Sequence, residues 1–204
     1  MRLPELASIY HRAESLSVDR SSKRDAFLRA HQFIESWDAS FADLVQGSEG
    51  VVADSTVIHP SAVIGESVFI CAGARIGPHC FIKSRSIIGP GVTLGFSVEV
   101  DRLIILEGSK IAHTACVGRS IFSSGCNFGY NFVNATANIY GKGLNYCYSP
   151  LHRKRSTASH HGAVIAEGVR TGVNVATMPG ASIESGAIIG PFVSVQGYLC
   201  RDER

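Results

Sequence analysis

The sequence predicts an all-β chain: a parallel β-helix of about six coils, with an extended arm and an N-terminal α-helical cap. Three observations carry this. An aliphatic residue recurs every six positions at Val52, Ile58, Ile64, Ile70, Ile76, Ile82, Ile88, Leu94 and Val100. Corner chemistry follows many of them, as in Ile64-Gly65, Ile76-Gly77-Pro78 and Ile88-Gly89-Pro90. The period resumes at Ile165, Thr171, Thr177, Ile183, Ile189 and Val195 after a single long break. A fixed short period marks stacked repeats.

An α-helix cannot use this pattern, because a repeat of six drifts off one helical face. A short strand and a tight corner fit it, with the aliphatic turned inward and Gly or Pro permitting the bend. Three such walls close one coil. Successive coils then pair as parallel strands about 4.8 Å apart, and each repeat touches only its neighbours.

The register slips by one residue between Val100 and Ile105, and again between Val117 and Phe122. Residues 134–164 then show no period of six. A gap of that length reads as a functional or mobile arm. Residues 1–50 differ. Phe27, Ala30, Ile34, Trp37, Phe41 and Leu44 recur at three and four, an amphipathic helix that Gly47 can end, and a shorter helix is expected around Leu6 to Arg12. These helices read either as a lid over the open first coil, since solenoid ends need capping, or as an interface for a partner or a second copy of the chain. The domain division is 1–50 for the cap and 51–204 for the β-helix.

Composition narrows the function. The 204 residues are 45% hydrophobic but 8% aromatic, as a column filled with Val, Ile and Ala requires. A net charge of +2 argues against a strong nucleic-acid binder. No apolar stretch approaches membrane-spanning length, and no signal-peptide core is visible, so a cytoplasmic protein is expected. Six cysteines lack disulfide or zinc spacing and read as reduced thiols, several of them small core residues. His59, His79 and His113 fall on one wall, but His113 is two coils, about 10 Å, beyond His79. No metal site is expected within the chain.

Residues 58–195 resemble the left-handed β-helix domain of hexapeptide-repeat acyltransferases. They most resemble the C-terminal acetyltransferase domain of bifunctional UDP-N-acetylglucosamine pyrophosphorylase/glucosamine-1-phosphate acetyltransferases, including the archaeal-type sugar-phosphate enzymes. The specific stretches are GFSVEVDRLIILEGSKIAHTACVGRSIFSSGCNFG (95–129), with both slips, and GAVIAEGVRTGVNVATMPGASI (162–183). The family's nucleotidyltransferase domain has no counterpart before Val52, which leaves a separate nucleotidyltransferase as a possible partner.

The resemblance implies a homotrimer that moves an acetyl group from acetyl-CoA to an amino sugar. A sugar phosphate such as glucosamine 1-phosphate is the implied acceptor, in nucleotide-sugar or cell-envelope precursor synthesis. It implies that His113 is the general base, the role neutral imidazole suits. Asn127 and Asn138 match sugar-binding amides, and Lys83 stands where the family has an Arg. Arg102 and Tyr140 are added as acceptor contacts. Thr171, Asn174, Ala176 and Gly190 fall in the coils that hold the coenzyme.

Two departures stand out: Asp101 replaces a phosphate-binding Lys, and Cys116 replaces a Tyr. Cys116 reads as a small buried thiol. The run His152-Arg153-Lys154-Arg155 suits phosphates, and Tyr146 and Tyr148 suggest that the arm packs against something. Two other classes stay open: a non-catalytic β-helix subunit, favoured by Asp101 and Cys116, and a metal-dependent trimeric hydratase.

Overall fold

The computed structural model describes residues 3–21, 24–139 and 143–201. It is a three-walled parallel β-helix. The first wall stacks eight rungs, from Val51–Val52 to Tyr198–Leu199. The second stacks seven, from Val57–Ile58 to Ile188–Ile189. The third also stacks seven, from residues 63–64 to Ser194–Val195. The count exceeds the expected six for two reasons. Val133–Asn134 still pairs as a rung, although Asn134 fills the slot that an aliphatic takes in the four coils before it and so hides the period. Tyr198–Leu199 adds a last rung after the hexads stop.

The inward column is the one read from the sequence. Ile70, Ile76, Ile82, Ile88, Leu94 and Val100 are buried in one continuous core, with Ile58 and Ile64 partly buried at its end. Between the third wall and the next first wall the chain does not stop for a turn. Val63–Ile70, Phe81–Ile88, Glu99–Ile105 and Cys116–Phe122 run through the corner as bent strands. Each bends at one residue with positive φ: Ser67, Arg85, Arg102 and Arg119. The two register slips fall at this corner and shorten it by one residue.

Helices α1 (Leu3–Glu14), α2 (Arg24–Glu35) and α3 (Trp37–Val45) correct two expectations. The 27–44 stripe is two helices, broken at Ser36 with non-helical φ −112° and ψ 37°. The Ser36 hydroxyl donates back to the Gln32 carbonyl at 3.1 Å, a bond that competes with the helical ladder. The helices also do not close the first coil. Their apolar faces, including Ile9, Phe27, Ile34, Trp37 and Phe41, lie along the first wall and bury Phe69, Ile87, Ile104, Ile121 and Val164. An amphipathic stripe demands a buried face. That outward column of large apolar side chains supplies one, while Val52, on the first rung, stays 42% exposed.

The arm leaves after Asn134 and returns at Val164. It carries an antiparallel hairpin, Asn145–Ser149 with His152–Arg155. Its base is fastened to α2 by a buried hydrogen-bond chain whose directions are fixed. Ser182 Oγ donates to the Cys147 carbonyl, so His31 Nε2 must donate to Ser182 Oγ at 2.8 Å. His31 Nδ1 is then the acceptor, and His161 Nε2 donates to it at 2.9 Å. His161 Nδ1 in turn accepts from Ser156 Oγ at 3.2 Å. Tyr146 stacks on both rings, with centroids 4.8 and 4.9 Å away. Burial pushes both imidazoles below their ordinary value, His161 to about 4, so both are neutral near pH 7. Thr157 N–H, donating to Glu35 at 2.6 Å, adds a second tie between α2 and the arm.

Candidate functional site

The second and third walls meet at a corner that repeats in every coil. Its exposed position is held in successive coils by Phe96, His113, Tyr130 and Val173. His113 is exposed there, and its Nδ1 accepts the Phe96 backbone N–H at 2.9 Å. A backbone N–H can only donate, so Nδ1 is unprotonated and the outward Nε2 of the neutral ring carries the hydrogen. Gly95 makes room for this: a β-carbon there would sit 2.7 Å from His113 Nδ1 and collide with the Ala112 carbonyl.

The third wall extends from this corner to the arginine corner, the bend held by Arg85, Arg102 and Arg119, and a cleft of about 290 Å³ lies on it. Lys83, Glu99, Asp101, Cys116, Arg119 and His160 contribute to its lining. Lys83 Nζ is 2.5 Å from Glu99 Oε1. Asp101 accepts Arg102 Nη1 at 2.8 and 3.1 Å. Asn134 forms the cleft's rear clamp. Its Oδ1 accepts Gly118 N–H at 2.6 Å, and its Nδ2 donates to the Gly118 carbonyl and Ser120 Oγ. The arm reaches the cleft through His160, whose backbone bridges Ala137.

The positions that the resemblance selects divide into groups. Lys83, Asp101 and Cys116 come together in this one cleft. Arg102 turns away to Asp38 on α3, Nε to Oδ1 3.2 Å, and does not line it. Asn127 points outward from the second wall between Lys110 and Arg170, on the other side of the His113 corner. Asn138 lies at the base of the arm, in a separate groove with Arg155. Tyr140 lies outside the described residues.

Cys116 is exposed rather than buried, because its rung position faces outward. Partial desolvation by the cleft walls, and then the nearby Glu99, push its thiol up, which keeps it protonated and a poor nucleophile.

The remaining four follow the His113 corner toward the last coils. Asn174 sits two rungs beyond it, about 10 Å, with its Oδ1 accepting Asn131 Nδ2 at 2.7 Å. Thr171 Oγ1 accepts the Gly129 N–H at 3.1 Å. Ala176 pairs outward with Val133, and a β-carbon at Gly190 would meet nothing within 4 Å. Among the described residues no three His, Cys, Asp or Glu gather as a metal site, and no helix is long and apolar enough to cross a membrane.

Glu99, Arg119 and Asn134 are site residues that the hexad pattern does not single out. The repeat does contain a signal for Arg119: with Arg85 and Arg102 it recurs every 17 residues at one corner.

Residues 64–147 match the family model described as the GMPPB C-terminal domain. The chain is 39% identical over 98 residues to the bifunctional protein GlmU of Methanococcus maripaludis (strain C7), covering 47% of this chain and 23% of that protein. It is 37% identical over 100 residues to the bifunctional sugar-1-phosphate nucleotidylyltransferase/acetyltransferase of Sulfurisphaera tokodaii, covering 48% and 24%. The chain thus spans about a quarter of the length of these curated relatives. Among solved structures, the acetyltransferase domain of PglB from Neisseria gonorrhoeae aligns over 82% of this chain and 64% of its own, at 14% identity and a TM-score of 0.41. The resemblance read from the sequence therefore holds for about half of the chain.

Proposed function

We propose that the protein is an acetyl-CoA-dependent N-acyltransferase that acetylates an amino sugar. The observation that carries this reading is a convergence. Lys83, Asp101 and Cys116, which align with acceptor-contact positions of the resembled family, line one cleft on the wall that begins at His113. Sequence similarity to proteins named as acetyltransferases supports it.

In this reading the acceptor amine attacks the thioester carbonyl carbon, the carbonyl oxygen takes up negative charge, and the carbon–sulfur bond then breaks to release the thiol of coenzyme A. The amine must lose a proton on the way. His113 takes it as general base once the ring lets go of the Phe96 N–H and turns a lone pair toward the cleft. In the position it holds here, its outward Nε2–H suits donation to the developing oxyanion instead. Thr171, Asn174, Ala176 and Gly190 provide the small or polar edge along which the pantetheine chain lies. A homotrimer, a separate nucleotidyltransferase partner, a cytoplasmic location and a role in envelope-precursor synthesis belong to the same proposal.

A second reading, a non-catalytic assembly subunit, is favoured by the engaged Nδ1 of His113 and by the ion pairs that occupy Lys83 and Asp101. Calorimetric titration with acetyl-CoA separates the two. Saturable binding supports the enzyme, and no detectable binding at millimolar acetyl-CoA removes it.

A further inference from the structure

The arginine corner carries more positive charge than it neutralises. Arg85, Arg102 and Arg119 occupy the same left-handed position in successive coils, with φ 44°, 52° and 45°. Their backbones are one strand spacing apart, about 4.8 Å, so the three guanidinium groups crowd one edge. Asp38 serves two of them, 3.6 Å from Arg85 Nε and 3.2 Å from Arg102 Nε. Asp101 adds a second partner for Arg102. In the cleft next to them, Lys83 is taken by Glu99. Among the described residues no carboxylate lies within ion-pairing distance of Arg119.

The backbone that carries Arg119 is nevertheless held firmly. Asn134 grips Gly118 on one side and Ser120 on the other, and Gly162 N–H donates to the Arg119 carbonyl at 3.0 Å. Arg119 is half-buried and lines the cleft. Burial, and then repulsion from Arg102, pull its pKa down from the usual arginine value, against the opposing pull of Asp38 and Asp101, whose ion pairs are made with the neighbouring arginines. Four cations (Lys83, Arg85, Arg102 and Arg119) thus face three carboxylates (Asp38, Glu99 and Asp101), a surplus of one positive charge, and Arg119 is the member of the group that makes no ion pair among the described residues.

We infer that Arg119 anchors the acceptor, and that the acceptor carries a singly charged oxyanion, a carboxylate or a phosphodiester, rather than a doubly charged terminal phosphate. This rests on the acyltransferase reading and refines its substrate class. The planar guanidinium fork matches two oxygens of such a group. A terminal phosphate would bring a second negative charge toward Asp101 and Glu99 with no cation left to meet it. The placement is also apt. Arg119 and His113 mark opposite corners of one wall, six residues and at most about 20 Å of extended chain apart. An acceptor laid across the wall can present its anion to one and its amine to the other.

The test is binding of three probes, followed by NMR chemical shifts at about pH 8: glucuronate, dimethyl phosphate and glucose 1-phosphate. Glucuronate or dimethyl phosphate is expected to bind more tightly than glucose 1-phosphate, and the tighter of the two identifies the oxyanion. Arg119→Gln is expected to weaken that probe by about tenfold or more, and Arg119→Lys, which keeps the charge but not the fork, by less.

Acetyl-CoA titration of the same proteins keeps the two levels apart and reports that the variants are folded. If acetyl-CoA binds while Arg119→Gln leaves probe affinity unchanged, or while glucose 1-phosphate binds most tightly, or while no probe binds, the inference on Arg119 is overturned and the enzyme reading survives. If acetyl-CoA fails to bind wild type, the enzyme reading itself is lost.

Discussion

The first and third walls are built from the same hexads and face opposite fates. On the first wall the outward residues Phe69, Ile87, Ile104 and Ile121 are fully buried beneath the helices. On the third, Phe81, Glu99 and Cys116 occupy the equivalent outward slots and remain at least partly open to solvent, with charges and a thiol in the middle coils. The inward columns are alike, so the scaffold's stability is common to both. What differs is the outward column. Where it is apolar and continuous, the chain covers it with its own helices; where it turns polar beside His113, the chain leaves a cleft.

The comparison breaks most sharply on a single residue type. Phe69→Ala on the first wall is expected to cost about 3–5 kcal/mol, because the ring is enclosed on all sides. Phe81→Ala on the third wall, 42% exposed, is expected to cost about 0.5 kcal/mol or less. Urea unfolding of both variants measures this, and similar losses would erase the distinction between the walls.

Acid sharpens the comparison next. His31 and His161 tie the arm to the helix-covered side, and both are depressed by burial, His161 from 6.5 to about 4. Unfolded, each binds a proton below about pH 6.5; folded, it does so only at much lower pH. The unfolded state thus holds more protons in that window, and stability falls as pH drops from about 6.5 toward about 4. The slope approaches roughly 1.4 kcal/mol per pH unit for each histidine. Denaturation midpoints at about pH 7.5 and about pH 5 test this, and His161→Asn should flatten the slope. On the third wall, removal of an exposed charge has the smallest effect. Lys83→Gln breaks the pair with Glu99, both about two-fifths exposed, and is expected to change stability by under about 1 kcal/mol in the same unfolding assay.

The sequence made one of these walls far easier to read than the other. The inward aliphatics are legible because burial on a stacked wall imposes a strict period. The helices are legible as elements, but a 3–4 stripe says only that a face is buried, not that Phe69 and Ile104 bury it. Asn134 broke the pattern because an amide took an aliphatic's slot in order to hold the corner of a neighbouring coil. The His31–His161 contact joins residues 130 positions apart, which no local pattern encodes. Arg102, expected as an acceptor contact, is instead paired with Asp101 and Asp38. Arg119, one coil later, is the cation that makes no ion pair among the described residues.

The central claim is that the third wall, beginning at His113, is a catalytic surface. The most direct measurement is acetyl transfer from acetyl-CoA to a panel of amino sugars by wild type and His113→Ala. The account predicts measurable transfer to at least one amino sugar by wild type, and a rate lower by about 10²- to 10⁴-fold in the variant. Equal rates in the two proteins would contradict it.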